Sequence, residues 1–325
     1  MNNIINNILS LLGTGDYHSG SAIGRRIGVS RAAVWKQLQK LVDLGLDLES
    51  VKGKGYRLVG GFEALSNESI YPLLNLSAKD HMSALEIFSH LESTNSYTMN
   101  RISEGGAKGY VCLAEYQSAG KGRRGRKWVS PFGHNIYLSL AWEFDGGASQ
   151  LEGLSLAVGV AIVQSLREIG LEKAELKWPN DILLDKKKLG GILLEMQGDP
   201  SGVCQVVIGV GINVRMKASA VIDQPWTSIA NHLSDVSRNE LAGLLLNNLF
   251  AMLLVYEREG FSKFKTDWER MDALQAEKVV VVTGTTRISG IANGVYPNGA
   301  LRLTVEGVDQ PIYGGEVSLR RVSDN

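Results

Sequence analysis

Apolar residues recur at helical spacing from Ile4 to Leu12 and stop at Gly13, which predicts a first helix. Ser19–Gly28 predicts a second, short one, with Gly28 suited to the tight turn that follows. Ser30 then caps a third helix, Arg31–Leu44, which ends at Gly45. On this third helix Val34, Leu38 and Leu41 form the apolar stripe, Ala32, Lys36 and Gln39 point the other way, and Trp35 lies on the flank. Leu48–Val51 and Tyr56–Val59 alternate like strands around Lys52-Gly53-Lys54-Gly55, a hairpin with a basic tip. The pattern changes near Ser66. Tyr110–Glu115, Asn135–Phe144, Lys188–Met196 and Val206–Val214 are strand-like, whereas Leu151–Ile169, Asn239–Glu259 and a shorter segment near Phe261–Met271 are helical. Leu151–Ile169 is apolar on nearly every face and belongs in a core. From 273 to 321, short Val/Ile-rich strands are punctuated by Thr283-Gly284, Pro297-Asn298-Gly299 and Glu306-Gly307.

These elements predict a multidomain α+β chain. Residues 1–62 form a winged helix-turn-helix, 66–271 a domain of helices packed on a mixed sheet, and 273–325 a small β domain. The length agrees, since 325 residues exceed one ordinary core.

Net charge is zero over the chain, so any nucleic-acid contact needs a local patch. Residues 1–62 supply one, with Arg25, Arg26, Arg31, Lys36, Lys40, Lys52, Lys54 and Arg57 against Asp16, Asp43, Asp47 and Glu49. Ser30, Arg31, Ala32, Lys36 and Gln39 of the recognition helix, with Lys52 and Lys54 of the wing, are the candidate DNA contacts. The alternative is a protein-docking module with a solvated basic face. Cys112 and Cys204 each lie in an apolar run, which reads as two buried thiols in a reducing cytoplasm. The five histidines show no HExxH-type pair, so no metal site is predicted. The expectation is a cytoplasmic protein: Met1–Asn7 lacks the basic start of a signal peptide, and no stretch reads as the ~18 apolar residues of a membrane span.

The densest chemical feature is Gly120-Lys121-Gly122-Arg123-Arg124-Gly125-Arg126-Lys127-Trp128. It matches GxGxxG, but a dinucleotide fingerprint opens a helix, and here Trp128-Val129-Ser130-Pro131-Phe132-Gly133 leads into another strand. It nearly matches a Walker A loop, yet Arg126 and Lys127 occupy the Lys and Ser/Thr places. What remains is a flexible loop with three glycines and five cations, able to close on a polyanion, or else a solvated basic loop. Lys177-Trp178-Pro179-Asn180-Asp181 and Lys186-Lys187-Lys188-Leu189-Gly190-Gly191-Ile192 form a second cluster. Strand glycines let a ligand approach the backbone, and Lys188 beside them can hold a carboxylate and a phosphate together. Asp181 is a candidate for steering an amine or Mg²⁺, or for capping a turn. Gly209-Val210-Gly211-Ile212-Asn213 repeats the device of strand glycines beside a polar side chain. Ser93-Thr94-Asn95 suits a polar ligand head or a helix cap.

In this order these clusters, together with Glu92, Ala114–Ala119 and the late Gly314-Gly315-Glu316-Val317-Ser318-Leu319-Arg320, resemble the biotin–protein ligases, of the bifunctional bacterial type that also represses the biotin operon. The likeness spans almost the whole chain. It implies a catalytic domain related to the class II aminoacyl-tRNA synthetases and a C-terminal SH3-like β-barrel. It implies ATP, Mg²⁺ and biotin as ligands, a biotin carboxyl carrier protein and operator DNA as partners, and a homodimer when the adenylate is bound. By the same resemblance Ser93, Thr94, Asn95, Gln117, Lys121, Gly122, Arg123 and Lys188 line the biotin site. Arg123, Arg124 and Arg126 order over the adenylate, Asn213 lies near the nucleotide, and Trp226 caps the adenine. Lys188, Arg123 and Asp181 are the candidate catalytic residues. Lys121 stands where arginine is usual, and Trp35 is bulky for this recognition helix. A lipoate–protein ligase shares the catalytic fold but lacks this basic loop and the winged helix. A ligand-sensing transcription factor without ligase activity would have no use for Lys188, Asp181 and the loop cations together.

Overall fold

The computed structural model describes residues 3–105, 107–198, 202–217, 222–283, 286–315 and 317–321. Met1 and Asn2 of the amino-terminal segment, Gly284 of a predicted turn and Glu316 of the late glycine motif lie outside them.

The first body comprises α1 (Asn3–Leu12), α2 (Gly20–Ile27), α3 (Arg31–Asp43), β1 (Leu48–Val51) and β2 (Gly55–Leu58). The Ser19 hydroxyl accepts from Ala22 N at 3.1 Å, and the Ser30 hydroxyl accepts from Ala33 N at 3.2 Å, so both helix starts are capped as their sequence predicts. Gly28, at φ 74°, ends α2 in the left-handed conformation that a β-carbon would disfavour. Ile8, Leu12, Ile23, Val34, Leu38 and Leu41 form its core. One member of that core comes from outside the predicted 1–62 boundary: Phe132, which is 1% exposed and stacks on Phe62 at 5.7 Å.

The second body contains α4 (Asn67–Ile70), α5 (Leu76–His81), β3 (Ala84–Phe88), α6 (Thr94–Ser103), β4 (Tyr110–Ala114), β5 (Ile136–Phe144), α7 (Leu154–Glu168), β6 (Glu175–Lys177), β7 (Asp181–Leu184), β8 (Lys187–Gly198), β9 (Cys204–Ile212), α8 (Arg238–Glu259) and α9 (Lys265–Arg270). Among the described residues its seven strands run in the order β3-β4-β5-β9-β8-β7-β6, and only β3 and β4 are parallel. The helix predicted near Phe261–Met271 breaks into a 3-10 turn, Phe261–Lys263, and α9. Ala148–Glu168 and Arg238–Glu259 are long and apolar enough to cross a bilayer by length and composition, which the sequence reading did not foresee. Here most of each is buried, as α7 and α8 pack on one another and α7 on the sheet.

The linker between the two bodies is pinned to the N-terminus of α8. Arg238, fully buried, donates from Nη1 to Glu115 Oε2 at 2.7 Å and from its backbone N to Glu63 Oε2 at 2.7 Å; Glu115 Oε1 in turn accepts from Leu65 N at 2.7 Å. A buried guanidinium is tolerable only with such paired acceptors.

The third body is a five-stranded antiparallel sheet, β10 (Lys278–Thr283), β11 (Thr286–Val295), β12 (Leu301–Val305), β13 (Val308–Ile312) and β14 (Val317–Arg321), in the order β13-β12-β11-β10-β14. It is tied to the second body through Trp178, whose Nε1 donates to Gly299 O at 3.0 Å.

Candidate active site

A cavity of about 580 Å³ opens where β8 and β9 meet the loop 120–128, the segment 177–181 and strand β14. Its floor is set by two glycines. Gly191 and Gly211 face each other across β8 and β9, and a β-carbon on Gly211 would stand 2.6 Å from the Trp128 ring. Trp128 therefore rests on the sheet only because position 211 carries no side chain, while Gly191 leaves ordinary contact distance to the ring.

Lys188 lies beside that indole, with Nζ 5.6 Å from the ring centroid and 2.6 Å from Asp181 Oδ1. It is the second residue of β8, and a bulge at Leu189 of β8, opposite Ile182 and Leu183, follows it directly. Its backbone is held on both sides: Lys188 N donates to Pro225 O at 3.0 Å and Thr227 N donates to Lys188 O at 2.9 Å. That pairing sets Trp226 at the cavity, and Asn213 steadies it by donating from Nδ2 to Thr227 O at 3.1 Å.

At the opposite end Ser93 caps α6, accepting from Ser96 N at 3.4 Å, and its helix brings Thr94 and Asn95 to the wall. The cap reading of this triplet holds, and the capped helix start places its neighbours on the cavity wall. Gln117 Oε1 accepts from Thr94 N at 2.8 Å, and Gln117 Nε2 donates to Ser130 Oγ at 3.0 Å. Asn95 fits because residue 209 is glycine; a β-carbon there would meet Asn95 Oδ1 at 2.2 Å.

The loop expected to be flexible is a compact turn. Gly122 N donates to Arg126 O at 2.7 Å, Trp128 N donates to Gly120 O at 2.8 Å, and Arg123–Gly125 makes one 3-10 turn with Arg124 at φ 60°. Arg123 reaches inward, donating from Nη1 to Asn180 Oδ1 at 2.8 Å and from Nη2 to the carbonyls of Val317, at 3.4 Å, and Gly315. Burial pushes its pKa below the ordinary arginine range. Arg124 and Arg126 stay exposed at the rim, and Lys121 Nζ lies 3.4 Å from Glu195 Oε1.

Ser93, Thr94, Asn95, Gln117, Lys121, Gly122, Arg123, Arg124, Arg126, Asp181, Lys188, Asn213 and Trp226 all line this one cavity. Trp128 as a wall, Asn180 as the acceptor for Arg123, Glu195 beside Lys121, and the carbonyls of Gly315 and Val317 escaped sequence reasoning, because each works through a neighbour distant in the chain. Among the described residues no group of three or more His, Cys, Asp or Glu is placed to hold a metal ion.

In the first body Arg31, Ala32, Lys36 and Gln39 are exposed along α3, as are Lys52 and Lys54 on the hairpin; Ser30 is the α3 cap. Arg57 is otherwise engaged, 2.6 Å from Glu49 and 4.7 Å from the Tyr17 ring centroid. Trp35 is 55% exposed.

Residues 87–213 match the Biotin/lipoate A/B protein ligase family, and residues 5–57 match an HTH domain. The chain is 39% identical over 315 residues to the bifunctional ligase/repressor BirA of Escherichia coli (strain K12), covering 96% of each. It is 32% identical to the biotin–[acetyl-CoA-carboxylase] ligase of Paracoccus denitrificans, over 70% of this chain and 96% of that one. The biotin protein ligase of Aquifex aeolicus, solved in complex with biotin and ATP, superposes with a TM-score of 0.63 at 28% identity, over 74% of this chain and all of the other. With a helix-turn-helix at one end and a ligase cavity at the other, the chain belongs to the biotin–protein ligases, among the bifunctional ligase/repressors.

Proposed function

We propose that this protein activates biotin with ATP to biotinyl-5′-AMP, transfers the biotinyl group to a lysine of a biotin carboxyl carrier protein, and represses biotin-synthesis genes when the adenylate is bound. The observation that carries the catalytic reading is Lys188, paired with Asp181 and set beside Trp128 in a cavity roofed by a cationic loop. A volume of about 580 Å³ suits a drug-sized ligand.

In the first step a biotin carboxylate oxygen attacks the α-phosphorus of ATP in line and pyrophosphate leaves. Lys188 Nζ neutralises the charge that builds on the phosphoryl oxygens. Arg123, Arg124 and Arg126 lie on the loop that covers the nucleotide, with Trp226 against the adenine and Asn213 steadying that wall. In the second step the carrier lysine nitrogen attacks the acyl carbon and AMP leaves, with Asp181 accepting a hydrogen bond from the incoming amine. Between the steps the closed loop excludes water from the mixed anhydride. Among the described residues Asp181 and Asp223 are the carboxylates at the cavity, and Lys188 already engages Asp181. That donor set fits a Mg²⁺ carried on phosphate oxygens and water, where it would offset phosphate charge.

The boundaries 1–62, 66–271 and 273–325 suit these roles, with Phe132 of the second body seated in the first. We read the second body as class II synthetase-like and the five-stranded third body as an SH3-like barrel. Operator contact falls to Ser30, Arg31, Ala32, Lys36, Gln39, Lys52 and Lys54, on a two-fold site bound by the homodimer. The buried thiols Cys112 and Cys204 accord with a cytoplasmic protein.

Exchange of labelled pyrophosphate into ATP tests the activity. Exchange that requires biotin supports the reading. Exchange that requires lipoate, or none with either acid, overturns it.

A further inference from the structure

We infer that Ser130, which is not among the residues lining the cavity, is a positioning residue that fastens the closed loop to the biotin end of the site. The inference rests on the reading of biotinyl-adenylate as the bound intermediate and adds what keeps the loop shut over it.

A one-way chain of hydrogen bonds runs from α6 to the end of the loop. Thr94 N can only donate, and it lies 2.8 Å from Gln117 Oε1. The Thr94 hydroxyl, 3.1 Å from the same oxygen, donates to it as well. These two donors fix the Gln117 amide with its oxygen toward α6 and its NH₂ away from it. Nε2 therefore donates to Ser130 Oγ at 3.0 Å. Ser130 keeps its own proton for Trp128 O, 3.0 Å away, because a carbonyl only accepts.

The last link closes the loop on itself. Trp128 N donates to Gly120 O at 2.8 Å, so the two ends of 120–128 meet beside Ser130. Gly120 leaves room for this, since a β-carbon there would stand 2.6 Å from both Ser130 Oγ and Trp128 O. On the far side Tyr137 Oη donates to Pro131 O at 2.9 Å and holds the next residue to β5.

Ser130 is 6% exposed, and among the described residues its hydroxyl is the donor that meets Trp128 O. Removing that hydroxyl takes an acceptor from the Gln117 NH₂ and a donor from the Trp128 carbonyl at once. The cost falls on the closed loop, where both groups are shut away from water, and not on an open one, where solvent satisfies them. The balance between closed and open then moves toward open. Lys188 keeps its place, because the pairing of Leu183 with Lys188 holds it between β7 and β8.

The test is release of labelled biotinyl-adenylate from the full-length protein, read beside biotin-dependent pyrophosphate exchange at saturating substrates. In Ser130→Ala escape rises about tenfold, the cost of one buried unpaired polar contact, while maximal exchange stays within about threefold. Ser130→Cys keeps the shape but donates and accepts weakly, and it raises escape about threefold. If Ser130→Ala does not fold, Gly120→Ala drives a β-carbon against the same hydroxyl and gives the same rise. Unchanged escape in a folded Ser130→Ala or Gly120→Ala overturns the inference alone. So does a fall in maximal exchange as large as the rise in escape, which marks a disturbed site and not an opened loop. An unmodified protein that forms no adenylate overturns the substrate reading, and the inference with it.

Discussion

Lys188 Nζ and Asp181 Oδ1 lie 2.6 Å apart, each mostly shielded from solvent, on strands β8 and β7. The pair joins the two halves of the reaction, since one partner is cationic toward phosphate and the other can receive an amine. Asp181→Asn removes the carboxylate but leaves Lys188 charged. Adenylate formation should therefore stay within about tenfold, while transfer to the carrier lysine falls by about a hundredfold or more. Single-turnover rates of each half-reaction measure this separately. Equal losses in both would assign Asp181 to holding Lys188 alone.

Arg123 clips the loop to Asn180 and to the carbonyls of Gly315 and Val317. Arg123→Ala removes those bonds at once, so escape of adenylate into solvent should rise about tenfold or more. Lys121→Ala, which loses one partly exposed ion pair, should raise escape only about twofold to fivefold. Release of labelled adenylate measures both, and unchanged escape in Arg123→Ala would show that the loop is not the lid.

Trp35 leaves more than half of its side chain in solvent on the flank of α3, which is costly for an indole without a partner. Trp35→Ala should weaken binding to the protein's own operator by about 10–100-fold and leave non-specific binding unchanged. Lys36→Ala should lower the salt dependence if it contacts phosphate. Gel shifts with the biotinyl-adenylate complex, on operator and random duplexes, separate the two. Equal loss on both duplexes for Trp35→Ala would make the residue structural.

Asp272 joins the second and third bodies, with Oδ1 accepting from Leu274 N at 3.0 Å and Oδ2 buried without a partner. Burial raises its carboxyl from 3.8 to about 6. The folded state thus holds a proton that the unfolded chain releases, and stability is fully present below about pH 4 and lost as pH rises through about 6. Asp272→Asn should raise Tm at pH 7.5 and give little gain at pH 4. Thermal melts at the two pH values check this, and a gain that is equal at both would contradict the assignment.

Much of the fold was legible because its signals were local. Ser30 caps, Gly28 turns, and Val34, Leu38 and Leu41 mark a buried face that needs no distant partner to be recognised. The middle of the chain was harder. β6 and β7 span only Glu175–Lys177 and Asp181–Leu184, too short to show a period, and α6 is too polar for a clear stripe. Basic residues and glycines of the cavity stood out in sequence, but their partners did not. Arg123 looked like a free phosphate ligand until its guanidinium was found on Asn180 and β14, nearly two hundred residues away in the latter case. Phe132 likewise read as part of the loop's exit, yet it fills the core of the first body.

The most direct test of the site is biotin-dependent pyrophosphate exchange by Lys188→Ala beside the unmodified protein, with folding checked by an unchanged melt. The lysine beside Trp128 should be indispensable for adenylate formation, so exchange should fall by about a thousandfold or more. Near-normal exchange in a folded Lys188→Ala protein would contradict the account.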